Sequence, residues 1–187
     1  MRPIGNMKTQ DELYIRRIQN GDTECFGHIV EHYSKPVFLL ICGIVRNQED
    51  AEELTQDVFL KIYRTLKNFQ GNSLFSTWLY RVAYNTAISY TRKKKQEFLY
   101  IEEQTMNNIS DRDVDEAFEN TVTEENLQAL HRAIDKLSPD ERGIITLFYM
   151  EEKTIEDIAE VTTLSSSNVK VKLHRIRKKL YLMLNSN

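Results

Sequence analysis

TIEDIAEVTTLSSSNVKVKLHRIRKKL, residues Thr154 to Leu180, reads as helix, short turn, helix, and it decides the architecture. The first helix offers Ile155, Ile158 and Ala159 to a core, and the second offers Val169, Leu173, Ile176 and Leu180, spaced by four, three and four. That spacing puts the second set on one buried stripe. Outside the stripe remain Ser167, Asn168, Lys170, Val171, His174, Arg175 and Lys178, short polar groups first and cations after. A helix that enters the major groove of DNA uses this order, with its first side chains at base edges and later Lys and Arg on phosphates. Lys170, Lys172, Arg175, Arg177, Lys178 and Lys179 follow one another with no acid between them and repel one another unless an anion arrives. A merely solvated basic face is the competing reading. Thr163 falls in the turn, where a positive φ is costly for a β-branched residue.

Working outward, Ser138-Pro139-Asp140-Glu141 marks a helix start, with a capping Ser, Pro in the first turn and Glu three residues on. Thr154 with Asp157 forms a second capping box, and Ser165 is placed to cap the helix of the basic stripe. Upstream, residues 97–125 hold ten acidic side chains against Arg112 alone, a net of −9 in a chain of net −3, so the remainder carries +6. The acidic total therefore does not argue against nucleic acid, because local charge on the binding face is what attracts phosphate. The polar, acidic composition of this stretch predicts a flexible linker between two helical units.

The N-terminal half has its own basic helix, FSTWLYRVAYNTAISYTRKKK from Phe75 to Lys95, with five aromatic and five basic residues and no acid. Trp78, Arg81, Asn85, Ser89 and Arg92 fall on one helical face, while Leu79, Val82, Ala83 and Thr86 lie towards another. An aromatic, an amide and cations side by side suit the stacking of unpaired bases and the holding of their backbone, although aromatics in a helical domain also serve as core. The preceding helix, DAEELTQDVFLKIYRTLKNF, has a core stripe through Ala51, Leu54, Val58 and Ile62. Phe59 and Tyr63 lie off that stripe, either as a docking face for a protein partner or as a wrap around a small core. Gly21 suits a left-handed helix end, Asp22 is placed to cap the next helix, and Pro36 is expected to break or bend it.

Periodicity is helical throughout, so the fold is expected to be all-α. No apolar run among the 187 residues approaches the roughly 20 a membrane span needs, and no secretion-signal core opens the chain. Two cysteines are too few for a disulfide framework, which points to a reducing cytoplasm. Cys25, His28 and His32 lie at helical spacing but lack an evident fourth ligand, so no metal is expected. Neither a Gly-rich phosphate loop nor a nucleophile–base arrangement is present, so the chain reads as no enzyme and as needing no cofactor.

DAEELTQDVFLKIYR, then FSTWLYRVAYNTAISYTRKKK, an acidic linker, LSPDERGIITLFYMEEKTIEDIAE and NVKVKLHRIRKKL together resemble the extracytoplasmic-function (ECF) sigma factors of bacterial RNA polymerase. The resemblance spans nearly the whole chain and implies region 2 over residues 1–97, a linker over 98–123 and region 4 over 124–187. It implies that Asp50, Glu53, Leu54, Gln56, Asp57, Phe59 and Leu60 dock on the β′ clamp helices of core polymerase, whose β subunit is also a partner. Asn72, Ser73, Phe75, Trp78, Arg81, Tyr84 and Asn85 would open and hold the −10 element of promoter DNA, with Arg92, Lys93, Lys94 and Lys95 on its backbone. Ser167, Asn168, Lys170, Val171, Lys172, His174, Arg175 and Lys178 would read the −35 element as duplex. The resemblance further implies an anti-sigma factor, commonly membrane-bound, which would hold the otherwise cytoplasmic protein at the inner membrane face. Ser89 stands where the family usually has Asp, Ser167 where it often has Gly, and Leu79 where the housekeeping branch has a second tryptophan, so weaker strand opening is expected. A stand-alone helix-turn-helix regulator of duplex DNA is the alternative, and it leaves the off-stripe face of residues 59–63 unexplained.

Overall fold

The computed structural model describes residues 4–94, 110 and 124–185, with side chains over 10–94, 110 and 127–185. The acidic segment expected as a linker lies outside the described residues except for Ser110, as does Lys95. Every regular element among the described residues is helical. Four helices form the N-terminal unit: α1 (Ile4–Gln19), α2 (Phe26–Val45), α3 (Gln48–Thr65) and α4 (Phe75–Lys94). Four more follow: α5 (Glu124–Asp135), α6 (Pro139–Ile145), α7 (Ile155–Thr162) and α8 (Ser166–Asn185), with a π-helical turn over Thr146–Met150 between α6 and α7.

In the first unit, α2 is the central helix and packs on both α3 and α4. Its buried Ile29, Tyr33, Val37, Leu40, Ile41 and Ile44 meet the Ala51, Leu54, Val58 and Ile62 stripe of α3 and Leu79, Ala83 and Ala87 of α4. Pro36 does not break α2, which runs on through it. One forgone backbone bond is outweighed here because its neighbours Tyr33, Val37 and Leu40 are all buried, each such apolar side chain contributing about 1.5–3 kcal/mol. Gly21 takes φ +104 at the end of α1, as its position predicts, and the backbone N–H of Asp22 donates to Arg17 O. The Asp22 side chain does not cap the next turn. It accepts instead from Arg17 at 2.6 Å and from the Cys25 thiol at 3.3 Å. Gln19 donates to Leu66 O at 3.1 Å and Phe69 O at 3.0 Å, fixing the turn that leads into α4.

In the second unit, Glu141 accepts from the Ser138 N–H at 2.9 Å, and Thr154 and Asp157 close a reciprocal box at the start of α7. Ser165 Oγ accepts from the Asn168 N–H at 3.2 Å and so caps α8. Thr163 takes φ +59 at the end of α7, the strained left-handed conformation the turn demands, and its N–H donates to Ala159 O. Val169, Leu173, Ile176 and Leu180 are buried along α8 as their spacing requires. The core does not stop between the units: Leu137, Ile144, Leu147 and Ile158 belong to the same buried cluster as α2 and α4.

Candidate nucleic-acid interface

Of the α4 face read from the sequence, Asn85, Ser89 and Arg92 are exposed, with Lys93 and Lys94 beyond them, and Arg81 is half-buried; on the other side Leu79 and Ala83 are buried, with Ala87, while Val82 and Thr86 are half-buried. Trp78 is half-buried, and its ring lies 5.1 Å from Phe69 and 5.9 Å from Phe75. Phe75 sits in the core, edge-on to Tyr33, so it supports the Trp78 ring from beneath rather than standing beside it. Leu79 is wholly buried. Asn72 is exposed and Ser73 partly so, in the loop before α4.

Along α3, Phe59 is only 7% exposed and joins the core, because the four-helix packing widens the buried stripe beyond its central line. The outer face is carried by Leu60 at 52% and Tyr63 at 43%, beside exposed Glu53, Gln56 and Asp57. Tyr63 also packs edge-on to Phe26 at 5.0 Å. Leu54 is buried. Asp50 is bound by Lys94 at 2.7 Å. Hydrogen bonds from Lys94 and then Tyr90 hold the Asp50 carboxyl below the usual carboxylate range.

On α8, Ser167, Asn168, Lys170, Val171, His174 and Arg175 are exposed, whereas Lys172 and Lys178 are partly covered. Lys172 and Lys179 have anions inside the unit. Lys172 donates to Asp140 at 2.8 Å and Lys179 to Glu141 at 2.5 Å, so the first turn of α6 relieves part of the repulsion along the helix.

The two candidate DNA faces are not independent of each other. A cleft of about 510 Å³ between α4 and the second unit is lined by Tyr84, Asn85, Ser89 and Arg92 on one side and by Asp140, Thr163 and Lys172 on the other. Arg81 donates to Glu160 O and to Glu160 Oε1, both at 2.9 Å. Tyr84 is 6% exposed, its ring facing Gly143 of α6, and burial pushes its phenol above the ordinary range. Tyr80 donates to Glu151 at 2.5 Å with Lys153 over its ring, and burial followed by that bond raises its pKa. No metal cluster replaces this arrangement elsewhere: among the described residues no group of three or more His, Cys, Asp or Glu could hold an ion. His28 stacks on Tyr14, His32 lies edge-on to Tyr33, and the Cys25 thiol donates to Asp22.

Residues 29–97 match the family described as Sigma-70 region 2, and residues 127–180 match Sigma-70, region 4. The ECF RNA polymerase sigma-E factor of Haemophilus influenzae is 31% identical over 174 residues, covering 90% of this chain and 92% of that one. The chain is an ECF sigma factor. The RNA polymerase sigma-H factor of Pseudomonas aeruginosa is 30% identical over 175 residues, 90% of this sigma factor and 91% of that one. CnrH, solved with the cytosolic domain of CnrY, shares the fold at TM-score 0.67 and 20% identity over 95% of this chain and 99% of that one. The sigma factor RpoE of Bartonella quintana, solved with the anti-sigma factor NepR, does so at TM-score 0.62 and 20% identity, over 87% and 98%. Sigma factors are transcription initiation factors, and this assignment sets aside the stand-alone regulator. Among the described residues no helix is long and apolar enough to cross a membrane. What the residue pattern did not single out in this sigma factor is the set that joins its halves: Tyr80, Gly43, Arg142 and Gly143.

Proposed function

We propose that residues 1–97 act as region 2 and residues 124–187 as region 4 of a sigma factor that gives core polymerase its promoter choice and carries no catalysis of its own. The carrying observation is the pair of basic helical faces, each mounted on its own buried stripe: Asn85, Ser89 and Arg92 on α4, and Ser167, Asn168, Lys170 and Arg175 on α8. In this reading Asn72, Ser73, Trp78, Arg81, Tyr84 and Asn85 hold the separated strand of the −10 element, with Phe75 as the support of Trp78 and Arg92, Lys93 and Lys94 on phosphates. Region 4 reads the −35 duplex with Ser167, Asn168 and Val171 at base edges, while Lys170, Lys172, Arg175 and Lys178 meet the backbone and His174 lies between. Asp50, Glu53, Gln56, Asp57 and Leu60, with Leu54 and Phe59 behind them, dock on the β′ clamp helices, and the exposed Leu60 and Tyr63 give that contact its apolar part.

The protein works in the cytoplasm. An anti-sigma partner is supported by the Bartonella quintana structure, which pairs a sigma factor with such an inhibitor. The test is transcription from purified parts: the chain added to core polymerase on fragmented genomic DNA should yield transcripts from a small set of discrete start sites. Duplex binding by the chain alone, with no complex on core polymerase and no discrete transcript, would overturn the reading.

A further inference from the structure

We infer that Gln19 of α1 is a positioning residue for the strand-holding ring: it fixes the turn from which Phe69 braces Trp78. The inference rests on the proposed role of Trp78 in holding the separated strand.

The last turn of α1 is itself anchored. Gly21 ends the helix at φ +104, the Asp22 N–H returns to Arg17 O at 3.0 Å, and the Arg17 side chain closes on Asp22 at 2.6 Å. Gln19, half-buried on that turn, donates from one amide nitrogen to two carbonyls 47 and 50 positions along the chain, Leu66 O at 3.1 Å and Phe69 O at 3.0 Å. Both amide hydrogens are thereby used. Leu66 O also takes the Phe69 N–H at 3.1 Å, whereas Phe69 is already extended at φ −68 and ψ 116, so its own carbonyl lies outside the helical ladders. A partly buried carbonyl in such a place needs a donor from elsewhere in the fold.

The consequence is carried by rings. Phe69 lies 5.1 Å from Trp78 and 5.9 Å from Phe75, and Phe75 lies 5.9 Å from Trp78. Each separation falls within the range in which aromatic pairs attract. The second brace also leads back to α1, since Phe75 is edge-on to Tyr33 at 5.7 Å and the Tyr33 hydroxyl donates to Asp11 at 2.5 Å. Phe75 is buried and stays with the core, whereas Phe69 is half-buried on a turn, so the Gln19 amide is the contact whose loss frees a ring. A Trp78 ring held in place before a base arrives binds without first losing its own freedom, and a loosened one binds more weakly.

Trp78 is the single tryptophan of the chain, so its fluorescence reports the brace directly. The experiment compares the full chain with Gln19→Glu, which keeps the side-chain shape and removes both donors. Emission and acrylamide quenching are read in the free chain, with circular dichroism for helix content. Duplex binding and permanganate reactivity of the −10 strand are read after assembly with core polymerase on one of its own promoters. Gln19→Glu should keep its helix content, shift emission to longer wavelength and quench more readily. It should leave duplex binding unchanged and lower −10 reactivity roughly tenfold, the scale of the one or two hydrogen bonds it loses. Unchanged emission and quenching overturn the inference, as does an equal loss of duplex binding and reactivity, which marks a merely structural contact. Emission that shifts while −10 reactivity holds keeps the brace and refutes instead the assignment of Trp78 to the strand. Should Gln19→Glu lose helix content, Gln19→Met, which removes the donors without adding charge, decides by the same readouts.

Discussion

Replacing Arg142 with methionine keeps an unbranched apolar stem in place and removes the guanidinium. Three carbonyls, Ile44 O, Gly43 O and Leu137 O, then lose their donor inside the protein. Hydrogen bonds from a charged donor contribute about 1.5–3 kcal/mol each, so the gross loss is roughly 5–9 kcal/mol. Against it stands the cost of keeping the cation buried, which shows in the Arg142 pKa: burial first, and then the nearby Arg46, hold it below the usual arginine value. That cost is several kcal/mol and is recovered in the variant, leaving a net destabilisation of about 3 kcal/mol. For a chain of this size each kcal/mol moves the thermal midpoint by about 2–4 °C, so a fall of roughly 6–12 °C is expected. The shape of the transition carries more information than its position. Two of these three closest acceptors lie in the opposite unit, so the variant should lose cooperation between the units and unfold over a broader or divided transition. Differential scanning calorimetry measures both. A midpoint within about 2 °C of the parent, with one equally sharp transition, would refute the claim that Arg142 joins the two halves.

Trp78→Ala should leave duplex binding intact while reducing permanganate reactivity of the −10 strand by roughly 5- to 100-fold in open-complex formation, the scale of one lost stacking contact. Unchanged reactivity would return Trp78 to a packing role on Phe69 and Phe75. Arg175→Ala should weaken −35 duplex binding and lower the salt slope by about one counterion, measured by anisotropy across a salt series. Thr163→Gly removes a β-branched side chain from φ +59 and should raise stability by about 0.5–1 kcal/mol in urea unfolding, and a loss of stability would show that the Thr163 hydroxyl bond to Thr162 O matters more than the strain.

What could be read from the sequence was what repeats. The stripes of α3 and α8 declared themselves through spacing, and the caps at Ser138, Thr154 and Ser165 through residue types that satisfy free backbone N–H groups. The left-handed turn at Thr163 was legible for the same reason, as a strained position between two periodic segments. Pro36 misled because a breaker signal is local, whereas the burial around it on both sides of α2 is not. Phe59 stayed open between a docking face and a wrap around the core because a helical wheel shows an angle and not what stands opposite it. The joint itself left no trace at all. A glycine within a helix and a single arginine in a charged stretch have no period, and their meaning appears only when Gly43, Gly143 and Arg142 meet across residues nearly one hundred positions apart.

The most direct test of the account is a hydroxyl-radical footprint of the chain assembled with core polymerase on one of its own promoters. The account predicts two protected patches, an upstream one that disappears with Arg175→Ala and a downstream one that disappears with Trp78→Ala. A single protected patch, or one that both substitutions erase together, would contradict the assignment of strand binding to α4 and groove reading to α8.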